Sequence, residues 1–189
     1  ARDRRVSVEQ DRRVSALRQL RRMLPIYAKV AWWGLVLPRR EDRPLVVHQG
    51  VIVDGSRILL SVRSDLRGWE LPGGNPDPDE TGEEALYREI LEETGVAVAV
   101  EGRVGSYVRS GFRPHTAHVW RCRPLAGEPR PSPETPLVRW FPLDAVPKTL
   151  FPWYRGPLAD ALADRPEPVE RHERWGMREI LQGFCIDLR

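Results

Sequence analysis

Glu89, Glu92 and Glu93 fall at i, i+3 and i+4 within GGNPDPDETGEEALYREILEETGV, residues 73–96. At about 3.6 residues per turn, that spacing brings three carboxylates to one side of a helix. Like charges so crowded oppose folding unless a cation or basic side chains neutralise them. Hard oxygen ligands of this kind suit Mg²⁺ or Mn²⁺. The glycines just upstream let the backbone turn tightly and approach a ligand, so that a main-chain oxygen can complete the coordination shell. A cation held this way neutralises phosphate oxygens and lowers the pKa of bound water, which a nearby carboxylate deprotonates for attack on phosphorus. Polyphosphate hydrolysis is the chemistry the pattern implies.

Those carboxylates need a helix, and the sequence predicts one from Thr81 to Thr94. Thr81 and Glu84 have capping-box spacing, and Gly95 is a natural stop. Upstream, LVVHQGVIV and RILLSVR flank Asp54 and Gly55, which reads as a β-hairpin. Downstream, strand-like runs cover approximately Val96 to Val108, His115 to Cys122 and Leu137 to Phe141, with the proline-rich loop PLAGEPRPSPETP before the last. A short helix is expected from Trp153 to Ala163. RPEPVERHER then reads as a linker before the apolar ILQGFCIDL. Strands on both sides of a helix predict a mixed α/β layer.

The same segment resembles the Nudix hydrolases. Their signature is Gly, five residues, Glu, seven residues, Arg-Glu, an aliphatic residue, any residue, Glu-Glu, any residue, Gly and an aliphatic residue. Here Gly74, Glu80, Arg88, Glu89, Ile90, Glu92, Glu93, Gly95 and Val96 occupy those places without gap or substitution. A helix acidic by chance accounts for the glutamates but not for the glycines and Arg88 at fixed offsets. The resemblance implies a Nudix-type α/β/α sandwich around a mixed β-sheet. It also implies a metal-dependent hydrolase that cleaves a phosphoanhydride in a nucleoside diphosphate linked to another moiety. Glu92 and Glu93 would be the principal ligands of Mg²⁺ or Mn²⁺, Glu89 a further ligand or the water-activating base, and the Gly73 carbonyl an additional ligand. Arg88 and Glu80 would orient the site. In the family a further glutamate from a loop often joins the metal or acts as base; Glu134 is the candidate and Glu128 the second. A non-catalytic Nudix-fold nucleotide sensor is the alternative, and the intact glutamate set argues against it.

For the substrate, Trp69 in WELPGG can stack on a base or ribose, and Arg63, Arg67, Arg109 and Arg113 can contact phosphates. The plainer readings are a core tryptophan and solvated arginines. His115 and His118 are read as one strand face lining the cleft or solvent, without a partner at zinc-site spacing.

At 189 residues and 21.7 kDa the chain fits one full-sized domain with modest extensions. Residues 1–43 read as a basic and apolar helical extension, 44–165 as the hydrolase domain and 166–189 as a C-terminal extension packing on the core. Val14, Leu17, Leu20 and Leu24 recur at helical spacing, a stripe that calls for burial on the core or in a homodimer. MLPIYAKVAWWGLVLP, residues 23–38, is interrupted by Pro25 and Lys29 and falls short of the ~20 residues of a membrane span. A net charge of +3, from 30 basic and 27 acidic side chains, excludes a strongly basic nucleic-acid binder. The expected partner is a small nucleotide or polyphosphate rather than nucleic acid or membrane. Cys122 and Cys185 belong to no zinc-type cluster, and no secretory signal pattern is read, so a reducing, cytoplasmic location is expected.

Overall fold

The computed structural model describes residues 21, 24, 25, 27, 28, 32, 45–111, 114–163 and 165–188. Strand β1 (Val46–Asp54) turns through Gly55 into β2 (Arg57–Val62), with Val53 opposite Ile58, as the hairpin pattern predicts. There follow β3 (Gly73–Gly74), α1 (Gly82–Thr94), β4 (Ala97–Gly111), β5 (His115–Ala126), β6 (Leu137–Pro142), α2 (Pro152–Leu162), β7 (Val169–Trp175) and α3 (Met177–Asp187). The sheet runs β6-β2-β1-β5-β4-β7, with β3 paired to β1. β1 lies parallel to β5 and β4 parallel to β7, while the remaining pairs are antiparallel, so the sheet is mixed.

Helices cover both faces, which is why β1 and β2 are nearly continuous apolar runs rather than alternating ones. On one face α1 lays Leu86 and Ile90 against Ile52, Leu59 and Val98. On the other, α2 lays Tyr154, Leu158 and Ala161 against Val51, Tyr107, Ala117 and Val119. The predicted ends of α1 are those observed. The Thr81 hydroxyl accepts from the Glu84 N–H, and the Glu84 carboxylate accepts from the Thr81 N–H at 2.9 Å. Gly95 ends the helix at φ 74°, a left-handed conformation that disfavours a side chain, and its N–H donates to the Leu91 carbonyl.

The expected linker RPEPVERHER is instead largely strand β7, which extends the sheet beside β4 with Arg109 opposite Glu173 and Gly111 opposite Trp175. Its sequence hides the strand because the row that meets α2 and β4 carries charge. Arg171 closes on the buried Asp160 at 2.5–2.6 Å, and Glu173 accepts from the buried Arg109 at 3.0 Å. Ion pairs stand where apolar side chains would have produced the usual alternation.

The C-terminal helix α3 is tied to the loop after β2 by one carboxylate. Asp187, fully buried, accepts from the Arg67 and Gly68 N–H groups at 2.8 and 3.1 Å through Oδ1, and from the Tyr27 hydroxyl at 2.6 Å through Oδ2. Asp187→Ala strands these donors. At roughly 1–3 kcal/mol for each buried group left without a partner, a loss of about 2–4 kcal/mol is expected. A urea melt checks this, and an unchanged midpoint would deny the clamp.

Among the described N-terminal residues, Arg21, Leu24, Pro25, Tyr27, Ala28 and Trp32 are helical. Tyr27 packs edge-on to Phe184, whereas Leu24 and Trp32 are exposed. Val14, Leu17 and Leu20 lie outside the described residues. No helix among the described residues is long and apolar enough to cross a membrane.

Candidate active site

A cavity of about 640 Å³ opens where β1, β3, the loop after β2 and the start of α2 meet the inner side of α1. Glu93, in the last turn of α1, is buried, and its Oε2 accepts the Gly73 N–H at 2.9 Å. Burial pushes its carboxyl up to about 7; the Gly73 hydrogen bond and the Arg63 charge oppose that rise, while Glu89 and Glu134 reinforce it. Glu89, one turn earlier, is likewise raised, first by burial, against the pull of Arg88. A Cβ at Gly74 would meet the Glu89 carboxylate and push it aside, so the glycine leaves that carboxylate its place.

Arg88 fastens the loop to the helix. It grips Glu80 with two bonds, Nε to Oε1 at 2.9 Å and Nη2 to Oε2 at 2.8 Å, and donates to Glu89 Oε1 at 3.1 Å and the Asn75 carbonyl at 3.3 Å. Hydrogen bonds from Arg88 are the main reason Glu80 is held down to about 2. The two residues therefore set where Glu89 stands.

Glu134 reaches the cavity through the unmet hydrogen-bonding needs of the helix end. The last carbonyls of a helix lack intrahelical donors. Here the buried Thr135 hydroxyl donates to the Glu93 carbonyl, and the Arg130 N–H donates to the Thr94 carbonyl at 2.9 Å. The Ser64 N–H, 2.7 Å from the Glu134 carbonyl, secures the other side. The proline-rich loop is thereby sewn along α1, and Glu134 borders the same cavity as Glu89 and Glu93.

A family model described as NUDIX domain matches residues 44–161. The chain belongs to the Nudix hydrolase family. A MutT-like protein from Streptomyces ambofaciens is 38% identical over 125 residues, 66% of this chain and 80% of the relative. A CTP pyrophosphohydrolase from Escherichia coli is 34% identical over 115 residues, 56% of this chain and 82% of the relative. A solved structure of an ADP-ribose pyrophosphatase from Streptococcus suis aligns with a TM-score of 0.57 at 28% identity, covering 69% of this chain and 99% of that one. Membership makes the chain a Nudix pyrophosphohydrolase, and the family match ends before β7.

Of the residues singled out in the Nudix sequence, Gly73, Gly74, Glu89, Glu93, Glu134, Arg63 and Arg109 border the cavity. Glu92 stands on the exposed flank of α1, its side chain 63% exposed and 3.4 Å from Arg88 Nη1. Trp69 does not line the cavity; it packs edge-on against Phe141 at 4.7 Å within the core. Arg67 gives its backbone N–H to Asp187, and Arg113 lies outside the described residues. Arg63 holds Asp65 through two bonds of 3.0 and 2.8 Å, while Arg109 is buried and committed to internal partners. His115 and His118 do not share a face. They lie three apart, so the period of two sends His115 to the cavity and His118 to the opposite side, against His48.

Sequence reading missed Glu70, Gln49, Tyr154, Trp153 and Trp175, all of which line the cavity. Glu70 is buried, and burial pushes it up to about 8 against the Arg63 charge, with Glu93 adding to the rise; the Tyr154 hydroxyl donates to it at 3.4 Å. Its position inside WELPGG was the available signal.

The carboxylate end fits a divalent cation by donor chemistry. Glu89 raises the proton affinity of Glu93, Glu134 adds to that of both, and hard oxygens predominate. Among the described residues no three acidic, histidine or cysteine side chains yet form a ready-made cage.

Proposed function

We propose that this Nudix protein is a Mg²⁺- or Mn²⁺-dependent hydrolase that cleaves a phosphoanhydride in a nucleoside diphosphate linked to another group, by water attack on phosphorus. The observation that carries the reading is the convergence of Glu89 and Glu93 from α1 with Glu134 and Gly73 on one cavity. Glu93 and the Gly73 carbonyl would hold the cation from the cavity and Glu92 from the flank of α1, with Glu89 a further ligand or the base and Glu134 beside them. When bound, the cation supplies charge neutralisation at phosphate oxygens and a more acidic water.

The chain's own residues do the rest. Glu89 or Glu134 accepts the proton of the attacking water, since both carboxylates stand at the cavity beside Glu93. Arg63 brings a positive charge to the cavity lining near Glu93, where it would hold a substrate phosphate. Arg88 and Glu80 keep Glu89 in place from outside the cavity. The relatives named for CTP and for ADP-ribose differ in the group beyond the diphosphate, so the class proposed is the nucleoside diphosphate moiety they share.

A product screen over dinucleotides, nucleoside triphosphates, nucleotide sugars and capped RNA tests this, with Mg²⁺ and Mn²⁺ added separately. Turnover of at least one substrate, abolished by chelator, is expected. Tight nucleotide binding without any product would instead favour the sensor reading.

A further inference from the structure

The cavity has a second end, built differently from the carboxylate end. Across four neighbouring strands, Val47 of β1, His115 of β5, Arg109 of β4 and Trp175 of β7 line it from the sheet, and Trp153 and Tyr154 close it from the first turn of α2. Trp175 comes from β7, beyond the part of the chain that the family model matches.

These rings are fixed in place. Trp153 stacks on Phe151 at 4.6 Å and 9°, and meets Trp175 at 4.9 Å and 35°. Arg109 anchors both tryptophans. Its Nη2 donates to the Trp153 carbonyl at 2.7 Å, its Nε donates to Glu173 at 3.0 Å, and its guanidinium lies 4.9 Å from the Trp175 ring. With its side chain 1% exposed, Arg109 serves the wall and is not a free phosphate hook. Rigid aromatic surface of this sort receives planar rings at little entropic cost.

A separate observation points to a ligand. Gln49, 93% buried and lining the cavity, donates through Nε2 to the Tyr154 hydroxyl at 3.2 Å, while its Oε1 has no hydrogen-bond partner. A buried acceptor left unmet is costly, and a folded chain sustains it where an incoming donor will meet it. Aromatic wall and waiting acceptor together suit a planar heterocycle with an N–H on its edge.

We propose that this end is a nucleobase pocket whose specificity is set by Gln49 and by Trp175, the latter supplied by the C-terminal strand β7. The base lies against the Trp153–Trp175 wall and donates to Gln49 Oε1, leaving its phosphates toward the carboxylate end. The proposal rests on the hydrolase reading for that orientation, but binding tests it without turnover.

The experiment is calorimetric titration of the full chain, without metal, with adenosine, guanosine, cytidine and uridine 5′-monophosphates and with ribose 5-phosphate. At least one nucleotide is expected to bind about tenfold or more tightly than ribose 5-phosphate. Gln49→Leu, which removes the unmet Oε1 together with the Nε2 donor to Tyr154, and Trp175→Leu should each cut that preference at least about fivefold, while Trp175→Phe keeps most of it. Should Trp175→Leu fail to fold, Gln49→Leu and Trp175→Phe carry the test. A preference below about threefold for all four nucleotides, or one left intact by Gln49→Leu, overturns the pocket. Base-selective binding by a chain that hydrolyses nothing in the product screen would keep the pocket and reject the hydrolase. Hydrolysis without base preference would do the reverse.

Discussion

Glu93→Gln is expected to lower turnover of the best substrate by about a thousandfold or more, roughly 4 kcal/mol of transition-state stabilisation, while leaving the protein folded. Glu93 is buried and faces the fields of Glu89 and Glu134. Glutamine has nearly the same shape, and its amide oxygen still accepts the Gly73 N–H that now lies 2.9 Å from Oε2. What it lacks is the negative charge needed to hold a cation. Because burial makes that charge costly in the metal-free protein, the variant should melt no lower than the parent when chelator is present. Steady-state rates with saturating Mg²⁺, beside a thermal melt, check both halves. Turnover within about tenfold of the parent would remove Glu93 from the reaction. A much lower melting temperature would assign it to packing instead.

Much of the frame around Glu93 was readable because it is written locally. Thr81, Glu84 and Gly95 bound α1 through interactions spanning a few residues, so their spacing alone located the helix. The hairpin at Asp54 and Gly55 is local in the same way. The carboxylate ridge follows from helical period, and the complete box then placed it in its family. Glu134 was inferred from resemblance alone. Its position depends on Thr135 and Arg130 meeting the carbonyls at the end of α1, contacts across about forty residues that leave no period in the chain.

Other parts were hidden because polar groups do structural work in places where sequence reasoning expects solvent. β7 looked like a linker since Arg171 and Glu173 are charged, and their buried partners, Asp160 and Arg109, are not adjacent in sequence. Arg109 looked like a phosphate contact for the same reason: its charge is visible in the sequence, its partners are not. Trp69 is the converse, an aromatic beside the metal loop whose ring is taken up by Phe141. The tryptophans that do line the cavity, Trp153 and Trp175, become neighbours only when β7 joins the sheet next to β4. Long-range pairing, not residue type, decided each of these.

The second large effect is on stability. With chelator present, the melting temperature is expected to fall as pH rises from about 6.5 to 8, the opposite of the rise that paired surface carboxylates produce at lower pH. Glu70 is raised to about 8 and Glu93 to about 7, both chiefly by burial. For a carboxyl with a raised folded-state pKa, the protonated form is the one the fold favours. Its contribution is complete below the unfolded value near 4.5 and is lost as pH climbs through 7 and 8. His48 works in the other direction: burial lowers it to about 4, so its contribution grows between there and its ordinary value of 6.5 and is constant above. The window from 6.5 to 8 therefore isolates the two carboxyls. Glu70→Gln should flatten the slope there by removing the group with the higher value. Millimolar Mg²⁺ should flatten or invert it, because a cation binds the ionised carboxylates and its affinity grows as their protons leave. Differential scanning calorimetry at several pH values, with EDTA and with Mg²⁺, reads all three curves. Coincident curves at pH 8 with and without Mg²⁺ would mean that the ridge of α1 holds no cation.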